Sequence, residues 1–103
     1  MSAPRLVKTV DETHEISRRR GNGKLRREIW VDGNGKVARF NLAFINREIH
    51  RGDNGRVLGY DSQHGFWHRH HLGEVSAIEG QSFEEIEAKF EAEVGAYLKG
   101  KRP

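Results

Sequence analysis

A chain of 103 residues with 35% hydrophobic residues and a net charge of +3 has room for one domain and not for two. It holds no cysteine, which excludes disulfides and thiolate metal ligands and fits a reducing compartment. No stretch approaches the roughly 18 apolar residues of a membrane span, and residues 1–10 lack a basic stretch followed by an apolar run, so a cytoplasmic protein without membrane association is expected.

Glycine supplies the punctuation. Gly21-Asn22-Gly23, Asp32-Gly33-Asn34-Gly35 and Asp53-Asn54-Gly55 each separate runs of alternating polarity. Asn-Gly and Asp-Gly tolerate the positive φ that tight hairpins demand, so the pattern predicts a β-meander. Residues 6–16 alternate weakly, as an edge strand does. Residues 24–31 set Leu25, Ile29 and Val31 against Arg26, Glu28 and Trp30. Residues 36–45 set Phe40, Leu42 and Phe44 against Arg39, Asn41 and Ala43. A period of two sends these sets to opposite faces of a sheet. Residues 48–50 and 56–60 flank the third turn and read as a further hairpin, and residues 65–72 read as the last well-marked strand.

The ending is helical. Ser82 with Glu85 three residues on forms a capping box, and Phe83, Ile86, Phe90, Val94, Tyr97 and Leu98 recur at spacings of three and four. Glu84, Glu85 and Glu87 suit the positive end of the helix dipole, Lys99 the negative end, and Gly100 is a natural stop. The expected fold is α+β. An antiparallel meander of about five or six strands, over residues of about 5–72, packs against one amphipathic helix at about 83–99.

Charge is uneven. Residues 1–60 hold 13 Lys and Arg against 7 Asp and Glu, and residues 61–103 hold 5 against 8. A basic sheet half and an acidic helix half imply two electrostatic surfaces, although solvated charge alone also keeps a protein soluble. A domain this short buries only about 60–70% of its unfolded surface, so a partner protein or homo-oligomerisation would add stability.

The least ordinary stretch runs from Tyr60 to Leu72 and carries four of the six histidines: His64, His68, His70 and His71. As a strand it divides into Phe66, His68, His70 and Leu72 on one face and Trp67, Arg69 and His71 on the other. The first set begins and ends with apolar residues, so it is expected on the core side. Three readings stand open. The histidines are satisfied semi-core or surface residues, hydrogen-bonded because a buried imidazole needs partners. Or they perform acid–base chemistry. RNA cleavage needs a base at the 2′-hydroxyl, an acid at the leaving 5′-oxygen and a cation for the phosphorane, and His68, His70 and Arg69 supply those types. Or His68 and His70 bind a metal with His64 or Asp61, though no second motif of standard ligand spacing supports this, so no metal and no cofactor are expected.

The alternation also assigns Arg26, Trp30, Arg39, Trp67 and Arg69 to the face away from the helix, with Arg18, Arg19, Arg20, Lys24 and Arg27 near it. Rings among cations are what single-stranded RNA binding needs. The same side chains serve equally as anchors of a protein interface.

Gly59-Tyr60-Asp61, the following His64, the His68-Arg69-His70-His71 cluster and the helix opening Ser82-Phe83-Glu84-Glu85 resemble a family of small prokaryotic proteins, the TumE-type toxins of toxin–antitoxin modules. The likeness covers residues of about 57–98. It implies a cytoplasmic, toxin-like protein with an antitoxin partner and RNA as target. Asp61, His64, His68, His70 and His71 are the positions it carries over as catalytic candidates. The expected function is therefore a toxin-like ribonuclease candidate that is independent of metal. The alternative is a non-enzymatic protein- or nucleic-acid-binding module using the Trp/Arg face.

Overall fold

The computed structural model describes residues 5–63 and 65–100. Six strands pair with their sequence neighbours in chain order: β1 (Val7–Glu15), β2 (Lys24–Val31), β3 (Val37–Ile45), β4 (Arg56–Gln63), β5 (Phe66–His71) and β6 (Glu74–Ala77). Every pair is antiparallel. One α-helix, α1 (Phe83–Leu98), packs on the sheet, giving the expected α+β meander.

The turns follow from their residues. Asp32 Oδ1 accepts from the backbone N–H of Asn34 at 2.8 Å and of Lys36 at 3.1 Å, which closes β2 onto β3. Asp53, Asn54 and Gly55 all take positive φ, the region that short polar residues and glycine tolerate best.

Two elements differ from expectation. Residues 48–50 form no strand. Asn46 is 3% exposed, and its Oδ1 accepts from the N–H of Glu48 and Ile49 while its Nδ2 donates to the carbonyls of Gly21 and Asn22. The buried amide thus turns the chain at the end of β3, and β3 pairs with β4 directly. The second difference is β6, which follows β5 through a two-residue turn at Leu72 and Gly73 with φ of 49° and 86°. Such a turn usually advertises itself with Asn or Gly at its first position. Leu72 hid it, and Leu72 therefore sits in the turn rather than on the strand.

The helix lies over the middle of the sheet. Ile29, Phe40, Leu42, Phe44, Leu58 and Tyr60 meet Phe83, Ile86, Phe90, Val94 and Tyr97 in one cluster. The helix starts where expected. The N–H of Glu85 donates to Ser82 Oγ at 3.1 Å, and Glu85 Oε1 accepts from the N–H of Ser82 at 3.4 Å. It stops where expected too, with Gly100 at φ 78°.

The strand β5 faces the other way from the sequence reading. Its register sets Trp67 opposite Ser62, Arg69 opposite Tyr60, and His71 opposite Leu58. Those partners belong to the helix-facing side, so Trp67, Arg69 and His71 lie there too. Phe66, His68 and His70 turn to the uncovered face, and Phe66 is 70% exposed rather than a core anchor.

Phe90 tests the packing. It is 3% exposed, with its ring 6.2 Å from that of Tyr60 in an edge-on arrangement. Phe90→Ala should lower stability by about 3–5 kcal/mol in urea unfolding. A loss below about 1 kcal/mol would show that the helix does not pack as described.

Candidate functional site

Three rows of side chains cross the uncovered face at right angles to the strands, each read from the pairing register. The first is Lys8, Trp30 and Arg39. The second is Asp11, Glu28, Asn41, Asp61, His68 and Ala77. The third is Thr13, Arg26, Ala43, Gly59, His70 and Val75. Carboxylates occupy the middle row and cations the rows beside it. Cross-strand neighbours of opposite charge attract, so the arrangement neutralises itself.

The contacts bear this out. Lys8 Nζ lies 2.9 Å from both Asp11 and Glu28, and Arg26 Nη2 lies 2.5 Å from Asp11 and 3.5 Å from Glu28. The hydrogen bond from Lys8 holds the Glu28 carboxyl below its ordinary value, and bonds from Lys8 and Arg26 do the same for Asp11. In return the bonds to Glu28 and Asp11 raise Lys8. Trp30 stands between two cations, with Lys8 Nζ and Arg39 Cζ each 4.8 Å from the ring centre. Attraction between a cation and a π face favours this placement.

The chemistry-bearing cluster lies further along the face. Arg56 donates from Nε to Asp53 at 2.7 Å, from Nη1 to Asp61 Oδ2 at 3.2 Å, and from Nη2 to His70 Nδ1 at 3.0 Å. A guanidinium can only donate, so Nδ1 is the acceptor and the ring proton sits on Nε2. That nitrogen lies 3.1 Å from Asp61 Oδ2 but out of hydrogen-bond alignment. Consequently His70 Nε2 and Asp61 Oδ1 are buried without a hydrogen-bond partner among the described residues. His68 stands directly across from Asp61, with its ring centre 6.5 Å from that of His70. Beside the cluster is a depression of about 230 Å³ lined by Trp30, Arg39, Phe40, Asn41, Arg56, Asp61 and Ser62.

The register of β4 explains why Arg56 lies here. A strict period of two would put it with Leu58 and Tyr60 under the helix. The pairing slips between Phe44 and Ile45, so Ile45 faces Arg56 and the guanidinium emerges on the uncovered side. It then lies over Gly59, where an added Cβ would come within 2.7 Å of Arg56 Cδ and 3.1 Å of the Leu42 carbonyl. Arg56 was missed in the sequence because a bulge is invisible to periodicity. Gly59, a glycine inside a strand, was the available signal.

Asp61, His68 and His70 therefore come together on the uncovered face, with Arg26, Trp30 and Arg39 in neighbouring rows. Trp67, Arg69 and His71 do not join them, and this corrects the expected co-facial set. The Trp67 ring packs edge-on to Phe40 at 5.0 Å. Arg69 bonds Glu93 of the helix and, at 3.0 Å, the Tyr60 hydroxyl. His71 Nε2 and the Tyr97 hydroxyl are 2.7 Å apart. Arg27, also expected near the outer face, pairs with Glu87 under the helix. Arg18, Arg19 and Arg20 form an exposed 3₁₀ turn between β1 and β2, outside the rows. His64 lies outside the described residues. Among the described residues no group of three or more His, Cys, Asp or Glu is arranged to hold a metal ion.

Compared with family models, curated proteins and solved structures, the chain returns no match in any of the three.

The Tyr60–Arg69–Glu93 triad carries a pH signature. Burial and the bond to Glu93 push the Tyr60 hydroxyl up to about 12 from 10.0, against the opposing pull of Arg69. A folded value above the unfolded one favours the fold while the phenol is neutral. The stabilisation is therefore complete below about pH 10 and is lost as pH rises through about 12. Urea unfolding over that window should show falling stability in the wild type and a flatter curve in Tyr60→Phe. Equal slopes would show that the hydroxyl is not held by this triad.

Proposed function

We propose that this chain is a toxin-like protein that acts on single-stranded RNA at the uncovered sheet face, by acid–base chemistry without a metal. One observation carries the reading. Asp61, His68 and His70 share a half-buried cluster with Arg56, whose guanidinium is 3.0 Å from His70 and 3.2 Å from Asp61, beside an open depression. Titratable groups gathered in a concave site with a cation are the ordinary raw material of acid–base catalysis.

The roles follow from the contacts. His68 takes the proton of the 2′-hydroxyl, and Asp61 across the ladder stabilises the imidazolium so formed. The 2′-oxygen bonds to phosphorus, and the P–O5′ bond breaks. Arg56 meets the charge on the phosphorane. As the phosphate draws Arg56 away from His70, the freed Nδ1 takes up a proton, and the imidazolium so formed gives one to the leaving 5′-oxygen and returns to the neutral ring. Arg39 is exposed beside Trp30, within reach of a flanking phosphate. The setting is the cytoplasm, with an antitoxin protein as the restraining partner.

A second reading is a non-enzymatic module that binds a protein through the same face. The pairing of its charges favours this. The middle-row carboxylates already hold Lys8, Arg26 and Arg56, and Trp30 is flanked by cations on both sides. A face of balanced charge suits a protein partner better than a polyanion.

Cleavage of a fluorogenic single-stranded RNA in the presence of chelator separates the two, run beside growth arrest on expression and thermal melts. His68→Ala should lower cleavage by about 100-fold or more with the melt unchanged. Undiminished cleavage or toxicity from a folded His68→Ala, His70→Ala double variant would sink the catalytic reading. No cleavage and no arrest from the wild type would leave the module.

A further inference from the structure

The two edges of the sheet are treated differently. At one edge β1 carries a bulge between Lys8 and Val10, and its side chains enter the ion pairs of Lys8 and Asp11 with β2. Bulges and charges are the devices that keep an edge from pairing with another chain. At the other edge, β6 holds Glu74, Val75, Ser76 and Ala77, all exposed. It has no Lys, no proline and no bulge in its pairing with β5. Its short length and the charge of Glu74 are its protections.

The backbone groups that this edge offers can be named. The N–H of Ile78 donates to the Trp67 carbonyl at 2.9 Å, so Trp67 and Ile78 form a close hydrogen-bonded pair. Close pairs alternate along an antiparallel ladder, which makes Arg69 with Ser76 and His71 with Glu74 the next two. Ser76 and Glu74 therefore turn their backbone groups toward β5. Val75 and Ala77 turn theirs outward, offering two N–H donors and two carbonyl acceptors at the spacing an added strand requires.

The surroundings specify the partner. Glu74 and Glu79 flank the edge, and both are exposed. From His70 to Ala88 the chain has five glutamates and neither Lys nor Arg. Val75 is 59% exposed and presents an apolar side chain to the uncovered face. At the end of the strand is a depression of about 320 Å³ lined in part by Phe66, His68, Ala77 and Ile78, able to take a further side chain. A second copy fits poorly, since it would bring two acidic edges together.

We propose that β6 is a docking edge for an extended, basic segment of a partner protein, which adds as a seventh strand beside Val75 and Ala77 and alternates Lys or Arg with apolar residues. Main-chain bonds to the edge supply binding, and the glutamates select the charge. This edge adjoins the Asp61–His70 cluster, since Ala77 pairs with His68 and Val75 with His70, but the main-chain bonds it offers do not depend on the cluster's chemistry.

The test uses the full chain and a capped synthetic peptide, Lys-Val-Lys-Val-Lys-Val, with Glu-Val-Glu-Val-Glu-Val as its counterpart. NMR titration and amide exchange read where each binds. The basic peptide should bind, protect the amides of Val75 and Ala77, and weaken as salt rises, while the acidic one should not bind. Ala77→Pro removes one outward donor without touching the bonds to β5, and should weaken binding at least ten-fold at an unchanged melting temperature. Should that variant fail to fold, the Glu74→Lys, Glu79→Lys double variant keeps the edge and should reverse the preference toward the acidic peptide. Binding elsewhere on the sheet, equal binding of both peptides, or no binding would overturn the proposal. So would a concentration-dependent dimer protecting the same two amides, because the occupant would then be a second copy.

Discussion

The arrangement of this molecule hangs on one charge placed on the core side of the sheet. Arg69 points under the helix, where partial burial penalises an unpaired guanidinium. Glu93 of the helix and the Tyr60 hydroxyl meet it. The contact couples three things that need not have been coupled. It holds the helix over β4 and β5. It makes Arg69 acceptable on the inner row, which permits the observed facing of β5. And since strand neighbours alternate, it sends His68 and His70 to the uncovered side. Arg27 and Glu87 repeat the device on β2, so two ion pairs flank the apolar contact between helix and sheet.

The uncovered face is organised by a different rule. It has too few apolar residues to be a second core, and its stability comes from matching charge across strands. Exposed pairs contribute little singly, but here Lys8 and Arg26 each reach both Asp11 and Glu28 of the middle row, so the set acts as a network. The same matching restricts what the face can do. A phosphate arriving there competes with Asp11, Glu28 and Asp61 for the guanidinium and ammonium groups. Discrimination between ligands on this face therefore rests on whether a ligand can displace internal partners, and Arg56 is the residue with the most to exchange.

Arg56 also shows how a small irregularity makes a site. One slip in pairing between β3 and β4 rotates a single side chain from the helix side to the open side. The absence of a side chain at Gly59 leaves the space in which the guanidinium lies. Asp53, in the preceding 3₁₀ turn, and Asp61, two residues beyond Gly59, then grip it from both ends. Two buried polar atoms beside it, His70 Nε2 and Asp61 Oδ1, have no hydrogen-bond partner among the described residues. Buried polar groups without a hydrogen bond are costly and few in folded proteins.

Local rules were enough for much of the fold. The capping box at Ser82 and Glu85, the stripe from Phe83 to Tyr97, the alternation of β2 and β3 and the Asp32–Gly35 turn are each written within a few consecutive residues, and each formed as read. What failed were the decisions that need a neighbour. Alternation in β5 divides its side chains into two sets, but a set containing Arg and His and a set containing Phe and His cannot be ranked for burial without knowing that Glu93 waits above one of them. The turn at Leu72 and Gly73 gave no local sign because its first residue is an unusual one for positive φ. The site residues divide in the same way. Asp61, His68 and His70 were legible as titratable residues close in sequence, and they do come together on one face. That Trp67, Arg69 and His71 lie on the helix-facing side, and that Arg56 joins the cluster, was decided only by the register of β4 against its two neighbours. Register is a property of the assembled sheet, where a one-residue shift exchanges the faces, and no single strand carries that information by itself.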